Sequence, residues 1–579
     1  MRINRLFPII FLLLSAVTPF ALADSPDIFI LKKKAQGGDA EAQFELGEAF
    51  TNGRGISKDD AEAVKWYRKA AEQGLPIAQN NLGAQYGIGR GVPQDHGEAL
   101  KWYHQAAEQG LAAAQNNLGG AFAAGQGVPK NNAEALKWYR KAAEQNYSDA
   151  QANLGLVYFY GKSITQDYAE ALKWFNKSAE QGGAVAQTFL GLMSEGGIGV
   201  TKDYTEAAKW YRLAAEQGHA KAQHYLGDKF FYGRGVTQDN AEAAKWFRLA
   251  AEQGVAEAQF KLGAIYDYGR GATQDHAEAA KWYHLAAEQG HSKAQVNLGS
   301  MYNNSRGVTQ DYAEAAKWYR LAADQGEAMA QYSLGNTFFY GRGVTQDSAK
   351  AAKWYHLSAE QGYPLAQFQF GRMLFTGDGV PRDAKEGVKL LRLAAEQGDA
   401  VAQYTLGNML GKGDGVPQDA KEAVKWIRLA AEQGYADAQI YLGDLFFEGK
   451  SVPQDDKEAM KWVRLAVEQG YAGAQLFLGE LFFEGKGVPQ DDKEAVKWVR
   501  LAAEQGYADA QYSLGRMFGE GLGVPQDSVK SYLWLHLAAG AGESEERNQI
   551  ASKMTPEQIA EAQQLAREWK PKKHNKKGD

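Results

Sequence analysis

The sequence is informative first in what it lacks: none of its 579 residues is cysteine. This absence excludes disulfides, cysteine-ligated zinc, iron–sulfur clusters, thiol nucleophiles and cysteine-linked lipid anchors. An excess of positive charge is also missing, because 64 Lys and Arg residues stand against 70 Asp and Glu residues, for a net charge of −6. That balance argues against a protein that binds nucleic acid through bulk positive charge.

Recognisable catalytic and metal-binding motifs are absent as well. The sequence has no His-Glu-x-x-His, Ser-x-x-Lys or Gly-x-Ser-x-Gly, which are signatures of zinc hydrolases and of common serine nucleophiles. Two segments end in Gly-Lys-Ser, but five residues separate their glycines, and a P-loop has four. The sequence therefore predicts a non-enzymatic protein that uses neither metal nor cofactor.

A long apolar run occurs at the N-terminus. Arg2 and Arg5 precede the run from Leu6 to Val17, and Ala21-Leu22-Ala23 follows as a small-x-small cleavage site. The run is shorter than the about 20 residues that a membrane-spanning helix needs. We therefore expect residues 1–23 to be a signal peptide and the mature chain to be periplasmic or secreted, with no integral membrane segment. An uncleaved membrane anchor is the alternative.

Internal repetition is what the sequence has in abundance. An Ala-Gln pair, followed in nearly every unit by x-x-Leu-Gly, recurs every 36 residues through fourteen units. The glutamines are Gln43, Gln79, Gln115, Gln151, Gln187, Gln223, Gln259, Gln295, Gln331, Gln367, Gln403, Gln439, Gln475 and Gln511. A period of this length predicts a solenoid, in which each unit buries its apolar face by stacking on its neighbours.

The first half of each unit reads as a helix. In the first unit Ala42, Leu46 and Phe50 recur every four residues, which is a helical period. Gly53-Arg54-Gly55 then predicts a turn, because glycine adopts positive φ freely.

The second half reads as another helix with defined ends. Asp59 stands at the N-cap position, and Glu62 three residues later predicts a capping box. The helix ends before Gly74, and its one non-glycine equivalent, Asn146, also adopts the left-handed conformation readily. Thirteen of the 14 tryptophans share one position of this helix, where they supply core surface between helices.

These signals predict an all-α fold, a solenoid of fourteen antiparallel helix pairs. The expected organisation is a signal peptide (1–23), an N-terminal lead-in (24–38), fourteen repeats (39–542), and a C-terminal capping helix with a basic tail (543–579). The tail is either solvated or in contact with membrane headgroups or wall polymers.

The unit A-x-A-Q-x-x-L-G-x-x-[YF]-x-x-G-x-G-V-x-x-D-x-x-x-A-x-K-W-Y-x-x-A-A-E-Q-G resembles the Sel1-like repeat, a relative of the tetratricopeptide repeat. The resemblance covers residues 39–542. It implies a right-handed superhelix and a scaffold or adaptor that binds other proteins in bacterial envelope processes, signalling or host interaction. A cysteine-rich secreted branch of the family is linked to penicillin binding, and the absence of cysteine argues against that branch.

By analogy with tetratricopeptide geometry, the first helix of each unit lines a concave groove. Aromatic residues concentrate at its outward positions, and rigid aromatic surfaces suit recognition of a peptide or a glycan. The candidate partner-binding residues are Phe159, Tyr160, Phe231, Tyr232, Tyr268, Phe339, Tyr340, Phe375, Tyr404, Phe447 and Phe483. The alternative is that these rings, the phenylalanines above all, pack between repeats.

Two further patterns bear on binding. Arginine recurs at one loop position, which predicts a basic edge that is either solvated or a site for an acidic partner; the residues are Arg54, Arg90, Arg234, Arg270, Arg306 and Arg342. A loop residue that is Thr in repeats five to nine becomes Pro from Pro381 onward. The chain thus reads as two blocks joined near residue 370, which need not bind the same partner.

The predicted function is a non-enzymatic scaffold that binds a protein or peptide partner in the groove, within the bacterial envelope. An envelope glycan is the alternative ligand. A secreted host-interaction factor using the same groove is one alternative function, and an envelope enzyme acting on peptidoglycan or β-lactams is another.

Overall fold

The computed structural model describes residues 28–161, 164–540 and 544–572. The predicted signal peptide and the end of the basic tail lie outside these described residues. The regular structure within them is helical, in 31 helices. The chain divides into two compact units, Met1–His291 and Ser292–Asp579, and each unit holds seven of the 36-residue repeats.

Every repeat contributes two helices, called here the A helix and the B helix. The A helices are α2 Ala40–Asn52, α4 Pro76–Ile88, α6 Ala112–Ala124, α8 Ser148–Tyr160, α10 Ala184–Gly196, α12 Ala220–Tyr232, α14 Ala256–Tyr268, α16 Ser292–Asn304, α18 Ala328–Tyr340, α20 Pro364–Thr376, α22 Ala400–Lys412, α24 Ala436–Glu448, α26 Ala472–Glu484 and α28 Ala508–Glu520. The B helices are α3 Asp60–Glu72, α5 His96–Glu108, α7 Asn132–Glu144, α9 Tyr168–Glu180, α11 Tyr204–Glu216, α13 Asn240–Glu252, α15 His276–Glu288, α17 Tyr312–Asp324, α19 Ser348–Glu360, α21 Ala384–Glu396, α23 Ala420–Glu432, α25 Asp456–Glu468, α27 Asp492–Glu504 and α29 Ser528–Ala539. Flanking them are α1 Ile28–Gln36, α30 Glu545–Ala551 and α31 Pro556–Glu568.

Within each unit the A helix packs on the B helix of its own repeat, and that B helix packs on the next A helix. This arrangement confirms the predicted all-α solenoid. It is stabilised by small core residues, since the alanines of both helices are almost completely buried and let the backbones approach closely.

The B helices begin at the predicted aspartate, but the prediction of a capping box is wrong. Asp59 Oδ1 accepts hydrogen bonds from the backbone N–H groups of Ala61 and Glu62 at 3.0 and 2.9 Å. The N–H of Asp59 donates to the Phe50 carbonyl of the A helix at 3.0 Å, so it is not available to the Glu62 side chain. Glu62 instead forms an ion pair with Lys65 at 2.5 Å.

The left-handed residue after the B helix is confirmed in the first thirteen repeats, while its equivalent in the last repeat, Gly542, lies outside the described residues. The φ angle is 90° at Gly74 and 63° at its asparagine equivalent, Asn146. Both residues therefore act through backbone conformation, as expected of a helix C-terminus.

The residue after each repeat tryptophan, an aromatic ring in the first nine repeats and aliphatic in the last four, fills the centre of the repeat. Tyr283 is fully buried and lies against Gly263 of the facing A helix, where a Cβ atom would stand 2.7 Å from its ring. The tryptophan faces the preceding repeat instead: Trp138 of α7 packs on the cluster formed by α5 and α6. Tryptophan thus joins neighbouring repeats, while the tyrosine joins the two helices of one repeat.

The repeated glutamine forms a buried chain of amide hydrogen bonds. Gln259 of α14 donates to the Ala251 carbonyl of the preceding B helix at 3.0 Å and accepts from Gln289 of its own repeat at 2.7 Å. Gln259 therefore joins three helical segments. In the first repeat Gln43 donates to the Ala35 carbonyl of α1 at 3.0 Å, so α1 takes the place of a preceding B helix.

The last repeat is covered by α31, which packs on α29. Ala562 is completely buried there, and the rings of Trp534 and Trp569 meet edge to face with centroids 6.2 Å apart. This helix occupies the face that a further repeat would cover.

Candidate functional site

Four of the five tyrosines proposed from the sequence lie at the end of their A helices, beside the loop to the B helix. Tyr160, Tyr232, Tyr268 and Tyr340 are each the last residue of their helix, and 42%, 47%, 60% and 52% of their surface is exposed. Exposure this large is unusual for a tyrosine in a packed repeat. Tyr160, Tyr232 and Tyr268 of the first unit, called here the tyrosine row, expose aromatic surface, and Tyr340 has the same position in a repeat of the second unit.

The phenylalanine before three of these tyrosines, Tyr160, Tyr232 and Tyr340, turns inward. Phe159 lies 6.4 Å from Phe175, Phe231 lies 6.3 Å from Phe247, and Phe339 lies 6.4 Å from Tyr355, as ring centroids. In each case the second ring is the core ring of the same repeat. These contacts favour the packing alternative for the phenylalanines.

The remaining candidates lie in the later repeats and are more buried. Phe375 and Phe483 pack on the core clusters of their repeats, and Tyr404 lies half-buried on another cluster. Phe447 is only 2% exposed and belongs to the core itself. The expectation that Phe447 contacts a partner is therefore wrong, because the neighbouring repeat covers its ring.

The loop arginines do not form one uniform basic edge. Arg234 lies over the Tyr232 ring at 5.2 Å and Arg342 over the Tyr340 ring at 5.1 Å, within the range of a cation–π interaction. In an early repeat the same position makes an ion pair instead, with Arg90 2.8 Å from Asp60. In each of these two repeats arginine and tyrosine thus form a composite surface.

A lysine of the next repeat extends this surface. Lys261 of α14 donates from Nζ to the Tyr232 hydroxyl at 2.8 Å and lies 5.1 Å from the centroid of that ring. A partner at this point would meet an aromatic ring between two cations, an arrangement suited to carboxylate and backbone carbonyl groups.

Sequence reasoning missed a buried ion pair beneath this surface. Lys229 of α12 is 2% exposed and pairs with Glu195 of α10, which also accepts a 2.9 Å hydrogen bond from the Tyr211 hydroxyl. Burial and the Glu195 carboxylate raise the pKa of Tyr211. A signal was present: Lys229 is the one charged residue at a position that is otherwise aliphatic, Met, Thr or Gln.

A partly buried histidine is expected to make the stability of this region pH-dependent. Burial first, and Lys221 second, lower the pKa of His219 to about 4, and its Nδ1 lies 2.9 Å from Thr188 Oγ1. Because this pKa lies below the ordinary value of 6.5, protonation favours the unfolded state. The stability that neutral His219 contributes is complete above pH 6.5 and is lost as the pH falls toward about 4.

We therefore expect the melting temperature to fall as the pH is lowered through that window, and to fall less in His219→Gln. The measurement is thermal unfolding by circular dichroism at pH 7, 5.5 and 4.5. His104→Gln is the matched control, since its side chain is 46% exposed. An equal fall for His219→Gln and the unsubstituted chain would contradict this role of His219.

Among the described residues, two further kinds of functional feature are absent, a metal-binding cluster and a membrane-spanning helix. Within these ranges, no three or more His, Asp or Glu side chains are grouped so as to hold a metal ion. Along the described part of the chain, no helix has the length and apolar character to cross a membrane.

Fourteen tandem helix pairs define the chain as an all-α repeat solenoid. A family model described as Sel1 repeat matches fourteen consecutive segments, from residues 40–75 to residues 508–543. The chain therefore belongs to the Sel1 repeat family. Solenoids of this family are commonly protein–protein interaction scaffolds and are typically non-enzymatic.

The chain is also similar to solved structures of other proteins. A protective antigen of uropathogenic Escherichia coli strains, displaying an SLR fold, is 38% identical with a TM-score of 0.62, over 75% of this chain and 94% of that chain. A Sel1 repeat protein from Oxalobacter formigenes is 35% identical with a TM-score of 0.41, over 53% of this chain and 90% of that chain. No curated protein matches.

Proposed function

We propose that the protein is a scaffold of the bacterial envelope that binds a protein or peptide partner through the tyrosine row. The observation that carries the proposal is the exposure of Tyr160, Tyr232, Tyr268 and Tyr340 at one position of their repeats. Rigid aromatic rings give contact area at low entropic cost and dominate many interfaces. Contacts on neighbouring repeats add up, so affinity comes from several modest sites.

Location in the envelope rests on the N-terminal sequence, where the charged start, apolar run and small-x-small site of residues 1–23 favour export. These residues lie outside the described part of the chain. Detection of a mature N-terminus at Asp24 by mass spectrometry of an envelope fraction would test this. A chain that keeps residues 1–23 and fractionates with membranes would support an uncleaved anchor instead.

The binding test compares the mature chain with a variant that carries Tyr160→Ala, Tyr232→Ala and Tyr268→Ala. We expect its capture of a specific partner from envelope extract to fall at least about tenfold, because three exposed rings are removed from one unit. Both proteins are first shown by circular dichroism to be equally helical.

The matched control removes three exposed side chains from B helices of the same unit, Leu213→Ala, Leu249→Ala and Leu285→Ala, whose residues are 42% to 46% exposed. It should capture the partner normally. Equal capture by the tyrosine variant and the unsubstituted chain would show that the row does not bind.

A second candidate function is a secreted factor that meets the host through the same surface. The relative named as a protective antigen of uropathogenic strains favours it, because a protective antigen is reached by the host immune system. Two results together would support this destination. The protein would be found in culture supernatant, and it would capture a host protein that the tyrosine variant does not capture.

A further inference from the structure

The A helices of repeats twelve and thirteen differ in charge from those of the middle repeats. Between them α24 and α26 carry five carboxylates and no Lys, Arg or His; the carboxylates are Asp437, Asp444, Glu448, Glu480 and Glu484. By contrast, α12 carries Lys221, His224 and Lys229 beside one carboxylate, Asp228. The two neighbouring helices α24 and α26 are therefore a locally acidic part of the second unit.

A cleft opens on these acidic helices. It has a volume of about 280 Å³ and is lined by Tyr404, Asp437, Ile440, Tyr441, Asp444 and Phe477, from α22, α24 and α26. The rings of Tyr404 and Tyr441 stand nearly perpendicular with centroids 6.2 Å apart. The cleft thus combines three aromatic rings with two carboxylates.

The ionised form of Asp444 is disfavoured by burial and by a neighbouring carboxylate. Burial, reinforced by the Glu448 carboxylate, raises the pKa of Asp444. The lysines that act on Asp444 electrostatically are engaged elsewhere: Lys450 pairs with Glu448 at 2.5 Å, and Lys486 lies over the Phe447 ring at 5.4 Å. Bringing a cation into the cleft would relieve the repulsion between these acids.

We propose that this cleft is a docking site for a lysine-rich peptide segment, with one ammonium group seated between the rings and Asp444. A second lysine of the segment meets Asp437, which lies two helical turns away and also accepts a 2.6 Å hydrogen bond from the Tyr471 hydroxyl. Aromatic faces attract a cation, and a carboxylate adds a charge-assisted hydrogen bond. The negative charge of α24 and α26 attracts the flanking lysines of the same segment. The site differs in place and in charge from the tyrosine row, so the scaffold has two surfaces for chemically different partners.

The test measures binding of a fluorescein-labelled peptide of alternating lysine and alanine to the mature chain, by fluorescence anisotropy in 0.15 M salt, where long-range attraction is screened. The variant is Asp437→Asn with Asp444→Asn, which keeps side-chain size. We expect its Kd to be at least about tenfold weaker, since both charged contacts are lost. The same peptide with acetylated lysines should bind neither protein.

The matched control is Glu432→Gln with Glu468→Gln, which removes two charges from exposed positions at the ends of α23 and α25. This control should bind the peptide with the affinity of the unsubstituted chain. The triple tyrosine variant should also keep that affinity, which would show that the cleft and the tyrosine row are separate binding sites. Equal weakening in both charge variants would overturn the proposal, because attraction would then be general. Peptide binding that appears only after removal of residues 570–579 would also overturn it, by showing that the chain's own basic segment is the occupant.

Discussion

Replacing Gly235 by alanine is expected to destabilise the first unit by about 2–5 kcal/mol, through backbone strain and a clash between repeats. The φ angle of Gly235 is 78°, a left-handed conformation that L residues adopt at a cost. A Cβ atom would also overlap the backbone carbonyl of Tyr204, at the start of the preceding B helix. Neither backbone can move without separating the repeats.

Gly254→Ala separates these two causes, because Gly254 has a φ angle of 85° and a Cβ atom added there would have no other atom within 4 Å. It should show the conformational strain alone, about 1–2 kcal/mol. Urea unfolding followed by circular dichroism gives the comparison, with hydrogen exchange around α11 and α12 to localise the effect, since repeat arrays need not unfold in two states. An equal loss of unfolding free energy in Gly235→Ala and Gly254→Ala would show that the clash with Tyr204 does not contribute.

Replacing Gln259 by methionine is expected to cost about 1–3 kcal/mol, although size is nearly preserved. The substitution removes the donor to the Ala251 carbonyl and the acceptor for Gln289. Gln259 is 4% exposed, so water cannot easily replace either bond.

A double-mutant cycle isolates the bond between the two glutamines. The free energies of unfolding of Gln259→Met, Gln289→Met and the double variant are compared with that of the unsubstituted chain, and the double variant should be less destabilised than the sum of the singles. If the losses of unfolding free energy in the two single variants add up to that of the double variant, the 2.7 Å contact between Gln259 and Gln289 contributes no coupling energy. Gln253→Met at the corresponding bond to Gln223 should reproduce the Gln289→Met result.

Much of the fold was predictable because its signals are local. The caps such as Asp59 and the left-handed residues Gly74 and Asn146 each act within a few residues of the chain, and their recurrence every 36 residues marks the repeat. The capping box failed for a reason that is not local, since the N–H of Asp59 is used by Phe50 of the facing helix.

The candidate site was predictable only in part. Phe159 and Tyr160 are adjacent and chemically alike, yet the first packs on Phe175 and the second is 42% exposed. Phe447, at the position equivalent to Phe159, is buried outright. Helix periodicity places these rings near the surface, but the next repeat decides how much of each ring it covers.

By itself, the sequence determined the repeat length, the helical class, the turn residues and the family, because each depends on short-range conformational preferences repeated fourteen times. The tertiary structure alone decided the ion pair of Lys229 with Glu195, the exposure of the tyrosine row and the aromatic cleft around Tyr404. These features join residues about one repeat apart in sequence, and stacking of the helices sets their distances.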